Sequence, residues 1–200
     1  MIDEWLDFFR ENINKKLFSL SDIVLLTGER RSSVSVQLSR LVSSGILDRP
    51  VRGWYANPFN TPTDEELAMV IRNPSYLSME YALSRHGVLS QNVFTYTLVT
   101  TKLPYTFHSG DRVFEYHQMK RSLFWGYHSE GMVLIAEPEK ALLDFLYLRL
   151  TRGREMTRST IDSLVDDLYI ESLDRDRLSL YSNEFDGVTR SYVSDILGTQ

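Results

Sequence analysis

Apolar residues near the start of the chain fall at Ile2, Trp5, Leu6, Phe9, Ile13 and Leu17. These spacings of three and four predict one amphipathic helix over 2–17. Early Asp3 and Glu4 and late Lys15 and Lys16 suit its dipole. Ser19, with Asp22 three positions on, is a capping-box variant that opens a second helix through 23–26. Thr27-Gly28 ends it, because glycine takes the positive φ of a tight reversal. A third helix starts near Ser32 or Ser33, either of which can cap its first turn. Val34, Leu38, Leu41 and Val42 then share one face. Ser33, Gln37 and Arg40 lie opposite, Ser35, Val36 and Ser39 flank them, and Gly45 closes the helix. Ile46-Leu47 and Trp54-Tyr55-Ala56 are β-prone pieces around a link containing Pro50 and Gly53, the pattern of a small hairpin.

Helix, helix, tight turn, helix and hairpin, in that order, predict a winged helix-turn-helix over 2–56. Residues 57–62, rich in Asn and Pro, read as a linker, so the expected domains are 1–59 and 60–200. The second opens with the capping box Thr63/Glu66 and a helix that Asn73-Pro74 breaks. Another helix spans about 77–85 and stops at His86-Gly87. From 93 to 135 the chain is β-rich, in the pieces VFTYTLVTT, YTFHSG, RVFEYHQM, LFWGY and MVLIA. Pro138 suits a helix's first turn, and Ala141, Leu142, Phe145, Leu146 and Leu148 form that helix's buried stripe. Residues 157–197 read as two or three acidic amphipathic helices. The expected fold class is α+β: a winged helix-turn-helix domain followed by a larger mixed α/β domain.

Composition is ordinary for a globular chain, 42% hydrophobic and 24% charged. No cysteine is present, which excludes disulfides, thiol nucleophiles and zinc knuckles. The acidic start MIDEWLDFF lacks the basic and apolar regions of a secretory leader. No apolar run approaches the ~20 residues of a spanning helix. A cytoplasmic protein with no membrane partner is expected. The net charge of -5 hides an uneven distribution. Residues 1–59 hold 8 basic and 7 acidic side chains (+1), whereas 60–200 hold 14 and 20 (-6). Between Arg30 and Tyr55, five arginines face Asp48 alone, a balance of +4. Residues 155–200 carry 10 acids and 4 bases (-6), a face that could steer DNA, meet a basic partner or simply aid solubility.

A helix lying in a major groove presents short polar side chains and a few long donors. Ser32, Ser33, Ser35, Gln37, Ser39 and Arg40 supply these, and Arg30 and Arg31 stand at the positive helix N-terminus, where a phosphate is favoured. No Asp or Glu occurs from Arg30 through Ile46, although solvated helix faces carry them freely. Arg49 and Arg52 are expected on the wing, on a phosphate or in the minor groove. Trp54 and Tyr55 read as core anchors of the wing. The bland alternative is a packed helix with a solvated face that meets other proteins. His86, His108, His117 and His128 show no metal-ligand spacing. Glu137-Pro138-Glu139-Lys140 resembles the end of a metal-dependent nuclease motif, but Pro138 replaces the required acid. Phosphate-cradling glycine loops, nucleophile elbows and nucleotidyl-transfer patterns are missing. Neither catalytic residue nor cofactor nor metal is expected.

The chain resembles the AbiEi family of antitoxins from type IV toxin–antitoxin (abortive infection) systems. The resemblance rests on the winged helix, on Tyr76-Leu77-Ser78-Met79-Glu80-Tyr81-Ala82-Leu83-Ser84-Arg85-His86-Gly87-Val88, and on Ala136-Glu137-Pro138-Glu139-Lys140-Ala141-Leu142-Leu143-Asp144. It implies a winged helix that binds repeats in its own promoter and represses the operon. It also implies a second domain that neutralises a nucleotidyltransferase-like toxin without a stable complex. The acidic C-terminal region is short for the family. The resulting expectation is a non-enzymatic regulator that binds double-stranded DNA as a dimer or cooperatively. The other reading is a protein-interaction module with no DNA role.

Overall fold

The computed structural model describes residues 2–152 and 158–198. The chain is mixed α+β and divides into two compact units, Met1–Ile71 and Arg72–Gln200.

In the first unit, α1 (Ile2–Glu11) is shorter than the helix its apolar spacing predicts. The side-chain amide of Asn12 donates to the Phe8 carbonyl at 2.9 Å. The buried Asn57 amide nitrogen lies 3.0, 3.2 and 3.1 Å from the carbonyl oxygens of Phe9, Asn12 and Lys15. A distant donor thus answers carbonyls that α1 leaves free, and the chain turns into β1 (Leu17–Ser19) instead of continuing as helix. α2 (Leu20–Thr27) has the expected capping box: Ser19 Oγ accepts from the Asp22 N–H at 3.0 Å, and Asp22 accepts from the Ser19 N–H at 2.9 Å. Burial pushes the Asp22 carboxyl up, but the Ser19 bonds and the Lys15 ammonium outweigh it and hold it below the ordinary value. Gly28, at φ 69°, reverses the chain and donates to the Val24 carbonyl at 3.0 Å.

α3 (Arg31–Ser43) begins one or two residues earlier than expected. Arg30 occupies the cap position and makes no side-chain cap bond, so neither Ser32 nor Ser33 is the cap. β2 (Trp54–Ala56) pairs antiparallel with β1, matching Phe18 with Tyr55. Ile46-Leu47 is not a strand, because both amides donate to the Leu41 carbonyl, at 3.0 and 3.2 Å, and belong to the end of α3. The expected hairpin is reduced to a tight reversal, Val51 bridged to Trp54, with Ala56 N–H on the Asp48 carbonyl at 3.0 Å. Trp5, Phe9, Phe18, Ile23, Val34, Leu38, Leu41, Leu47 and Tyr55 form the core, each contributing roughly 1.5–3 kcal/mol if large and aliphatic or Phe-like. α4 (Asp64–Ile71) follows the Thr63/Glu66 capping box. Lys16 Nζ lies 3.0 Å from a Glu66 carboxylate oxygen, tying α4 to the first unit. The division therefore falls after Ile71 rather than within the 57–62 linker.

The second unit runs β3 (Ser75–Leu77), α5 (Met79–Arg85), β4 (Thr95–Thr100), β5 (Tyr105–Ser109), β6 (Arg112–Gln118), β7 (Tyr127–Glu130), β8 (Val133–Ala136), α6 (Pro138–Arg152), α7 (Arg158–Asp166), α8 (Arg175–Ser182) and α9 (Gly187–Gly198). Its sheet has the order β5-β6-β4-β3-β8-β7. The β5/β6, β7/β8 and β3/β4 pairs are antiparallel, and β4/β6 and β3/β8 are parallel. β3 replaces the expected start of a helix at 77. It is a central strand of three residues, all buried, too short and too enclosed to show alternation. Of LFWGY, only Tyr127 is in a strand; residues 121–123 form a 3₁₀ turn instead. α6 starts at Pro138 as expected and carries Ala141, Leu142, Phe145, Leu146 and Leu148 into the core. The tail's acidic pairs Asp166-Asp167 and Asp174/Asp176 are exposed. Residues 155 and 157, with which the acidic tail and its helices were expected to open, lie outside the described residues.

Candidate nucleic-acid interface

α3 buries Val34, Leu38 and Leu41 and turns Arg31, Ser32, Val36, Ser39, Arg40 and Ser43 outward, with Arg30 exposed at its cap. Helical spacing of three and four puts Ser32, Val36, Ser39 and Ser43 in one outer band. Ser35 lies half-buried beside that band. The Ser39 and Ser43 hydroxyls donate back to the Ser35 and Ser39 carbonyls at 2.8 and 2.9 Å, so their protons are taken and their lone pairs remain. Arg31 Nη1 donates to Ser21 Oγ of α2 at 3.2 Å. Arg30, Arg40 and Arg52 are exposed and form no ion pair among the described residues. Arg40 borders a recess of about 180 Å³ with Ile2, Trp5 and Gln37. Arg49 instead lies over the Tyr55 ring, 5.7 Å from its centroid. Arg52 stands at the reversal beside Gly53, whose φ of 85° makes that turn possible.

Gln37 does not present a free amide. Its Oε1 accepts from Trp5 Nε1 at 2.8 Å, and its Nε2 donates to Ser33 Oγ at 2.8 Å and to Glu29 Oε2 at 3.0 Å. Ser33 Oγ donates to the same Glu29 oxygen at 3.0 Å. Both amide protons of Gln37 are engaged, so the base-edge role expected of it is unavailable without breaking this chain. Ser33 is drawn into the same network. Sequence reasoning placed the 52%-exposed Val36 on the flank of this surface but did not single out Glu29 or Trp5. Glu29, Ser33 and Gln37 do stand four residues apart, the spacing of neighbours on a helix face. Trp5 lies on a different helix, and no local pattern could place it there.

The polar residues of the second unit make a different arrangement. Tyr76 Oη and Ser78 Oγ donate to Asp144 Oδ2 at 2.8 and 2.9 Å. Lys140 Nζ donates to Tyr76 Oη at 2.9 Å and pairs with Asp144 Oδ1 one helical turn away. The ammonium also sits 5.2–5.4 Å from the centroids of Tyr76, Trp125 and Phe185. Burial pushes the Lys140 ammonium down, against the raising effect of Asp144. Burial likewise pushes the Asp144 carboxyl up, against Lys140 and the two hydroxyls. Glu139 is turned aside to accept the Asp174 N–H at 3.0 Å, and Glu137 accepts from Tyr181 Oη at 2.7 Å. The nuclease-like run therefore brings no lysine beside an acid at an open surface. The two stretches quoted for the resemblance meet in this cluster, and His86 Nε2 lies 2.8 Å from the Ala136 carbonyl oxygen.

His86 and His128 have ring centroids 6.5 Å apart, while His108 and His117 are on β5 and β6. Among the described residues, no group of three or more His, Asp or Glu side chains could hold a metal ion. Cavities of about 560 and 380 Å³ lie in this unit, and neither has Ser, His or Lys among its described lining. No described helix is long and apolar enough to cross a membrane.

Fold and surface together define an α+β protein of two units whose first exposes an arginine-edged helix. Comparison with protein-family models and with curated proteins gives no match.

Proposed function

We propose that this chain is a DNA-binding transcriptional regulator of the type IV antitoxin kind. The observation that carries the reading is the outward face of α3. Arg30, Arg31, Ser32 and Arg40 are exposed, and no acid intervenes between residues 30 and 46. The order α1, β1, α2, α3, β2, with the Gly28 turn before α3 and Arg52 at the following reversal, suits a winged helix-turn-helix. Arg30, Arg31 and Arg52 hold phosphates, Ser32 and Ser35 lie along the groove, and Arg40 contacts a base edge. Arg49 reaches a phosphate by leaving Tyr55. One such module buries little area, so two copies act on a repeated site in the protein's own promoter. The second unit neutralises a nucleotidyltransferase-like toxin, and the protein works in the cytoplasm.

Gel shift with the DNA upstream of the protein's own reading frame tests this. Retardation should weaken steeply with salt, and Arg30→Ala/Arg31→Ala should lower the slope of log K against log salt by about two. Arg40→Ala should cost ~1–3 kcal/mol of specific binding if it reads a base. A wild-type protein that shifts no duplex at low salt refutes the reading.

One observation favours a second reading. Leu25 and Leu26, at the end of α2, are 83% and 52% exposed, an apolar edge suited to a protein partner. Under that reading Leu25→Ser/Leu26→Ser abolishes a protein complex, and DNA is not bound.

A further inference from the structure

The hydrogen-bond chain through Gln37 and Ser33 of α3 runs from a buried anchor on α1 to an exposed end just before the α3 cap. Trp5, 5% exposed, donates to Gln37, and Gln37 and Ser33 both donate to Glu29 Oε2. Glu29 itself is exposed, and Oε1 accepts no bond from the described residues. A glutamate held in this way keeps one oxygen in a set place, so little side-chain freedom remains to be lost on contact. It also sits beside Arg30 and Arg31, whose charge offsets the repulsion between a carboxylate and nearby phosphates.

Resting on the DNA-binding reading, we propose that Glu29 is the specificity-determining residue of this surface. It accepts a hydrogen bond from the N4 amine of a cytosine in the major groove, with Gln37 as the residue that positions it. The chemistry selects cytosine over adenine. Adenine sets the N7 acceptor beside its N6 amine, and N7 repels a carboxylate, whereas the N4 amine of cytosine is flanked by C5–H. Gln37, its protons already taken, contributes by orientation and touches no base.

The test is selection from duplexes with a randomised core, using the full chain. Wild-type protein should retain sites with one C·G pair preferred by roughly ten- to a hundredfold over the other pairs. Glu29→Ala should flatten the preference at that position, and Glu29→Gln should move it off C·G. Neither change should weaken retention of unselected duplex, since a negative charge has been removed. Gln37→Ala should weaken the same preference and leave the salt slope unchanged, which a merely structural loss would not do. If Glu29→Ala selects the same sequences as the wild type, the assignment is wrong while the regulator reading stands. If the wild type retains no duplex at all, both are wrong. A cooperative unfolding transition well above the assay temperature for each variant guards against misfolding.

Discussion

The two units hold polar networks of opposite design. In the first, Trp5, Gln37, Ser33 and Glu29 form a chain closed at its buried end and open at its solvent end. In the second, Tyr76, Ser78, Lys140 and Asp144 are all fully buried and bond to one another. Breaking an open chain costs little, because water replaces the lost partner. Breaking a sealed one leaves a charge in a low dielectric with nothing to answer it. The lesson is a division of labour: the sealed network specifies how β3 meets α6, whereas the open one leaves an acceptor where a second molecule can reach it.

The sharpest way to break this comparison is Asp144→Ala, which strands the Lys140 ammonium in an aromatic surround. Chemical denaturation should show a loss of about 3–5 kcal/mol, with much of it recovered in Lys140→Met/Asp144→Leu. A loss under 1 kcal/mol for the single change would mean that water reaches the cluster. Gly126→Ala comes next. Its Cβ would stand 2.8 Å from Lys140 Cγ, at a backbone φ of +74° that disfavours alanine, and overpacking alone should cost about 1–3 kcal/mol. Gln37→Ala, in the open chain, should cost only about 0.5–1.5 kcal/mol by thermal or denaturant unfolding.

The smallest effect is with acid. Asp22 and Glu66 are held below their ordinary values, burial being outweighed by the Ser19 and Thr63 caps and by Lys15 and Lys16. A depressed carboxyl stabilises the fold above its unfolded pKa, and that contribution fades as pH falls through the lowered folded value. The first unit should therefore lose stability below about pH 4. Glu66→Gln should make the acid side of the pH–stability curve shallower.

What could be read from the chain follows the reach of each interaction. Caps and turns act over three or four residues, so Ser19/Asp22, Thr63/Glu66 and Gly28 were legible. The α3 stripe of Val34, Leu38 and Leu41 was legible for the same reason. The end of α1 was not, since the Asn57 amide that answers its carbonyls comes from more than 40 residues away. β3 was missed because its three enclosed residues carry no period. Within the candidate surface, residue types pointed to Arg30, Arg31 and Arg40. The fate of Gln37 depended on Trp5, a partner across the core. Periodicity reports which face is wet and says nothing of which wet side chains are already engaged.

The Lys16–Glu66 pair has a practical bearing on how the gene should be divided. A head fragment ending at residue 59 would discard the glutamate and leave the lysine behind. It would also remove the capped helix that the head carries beyond the Asn- and Pro-rich tether. Cutting after Ile71 keeps both partners on one piece, and that is the fragment to express when the head is studied by itself.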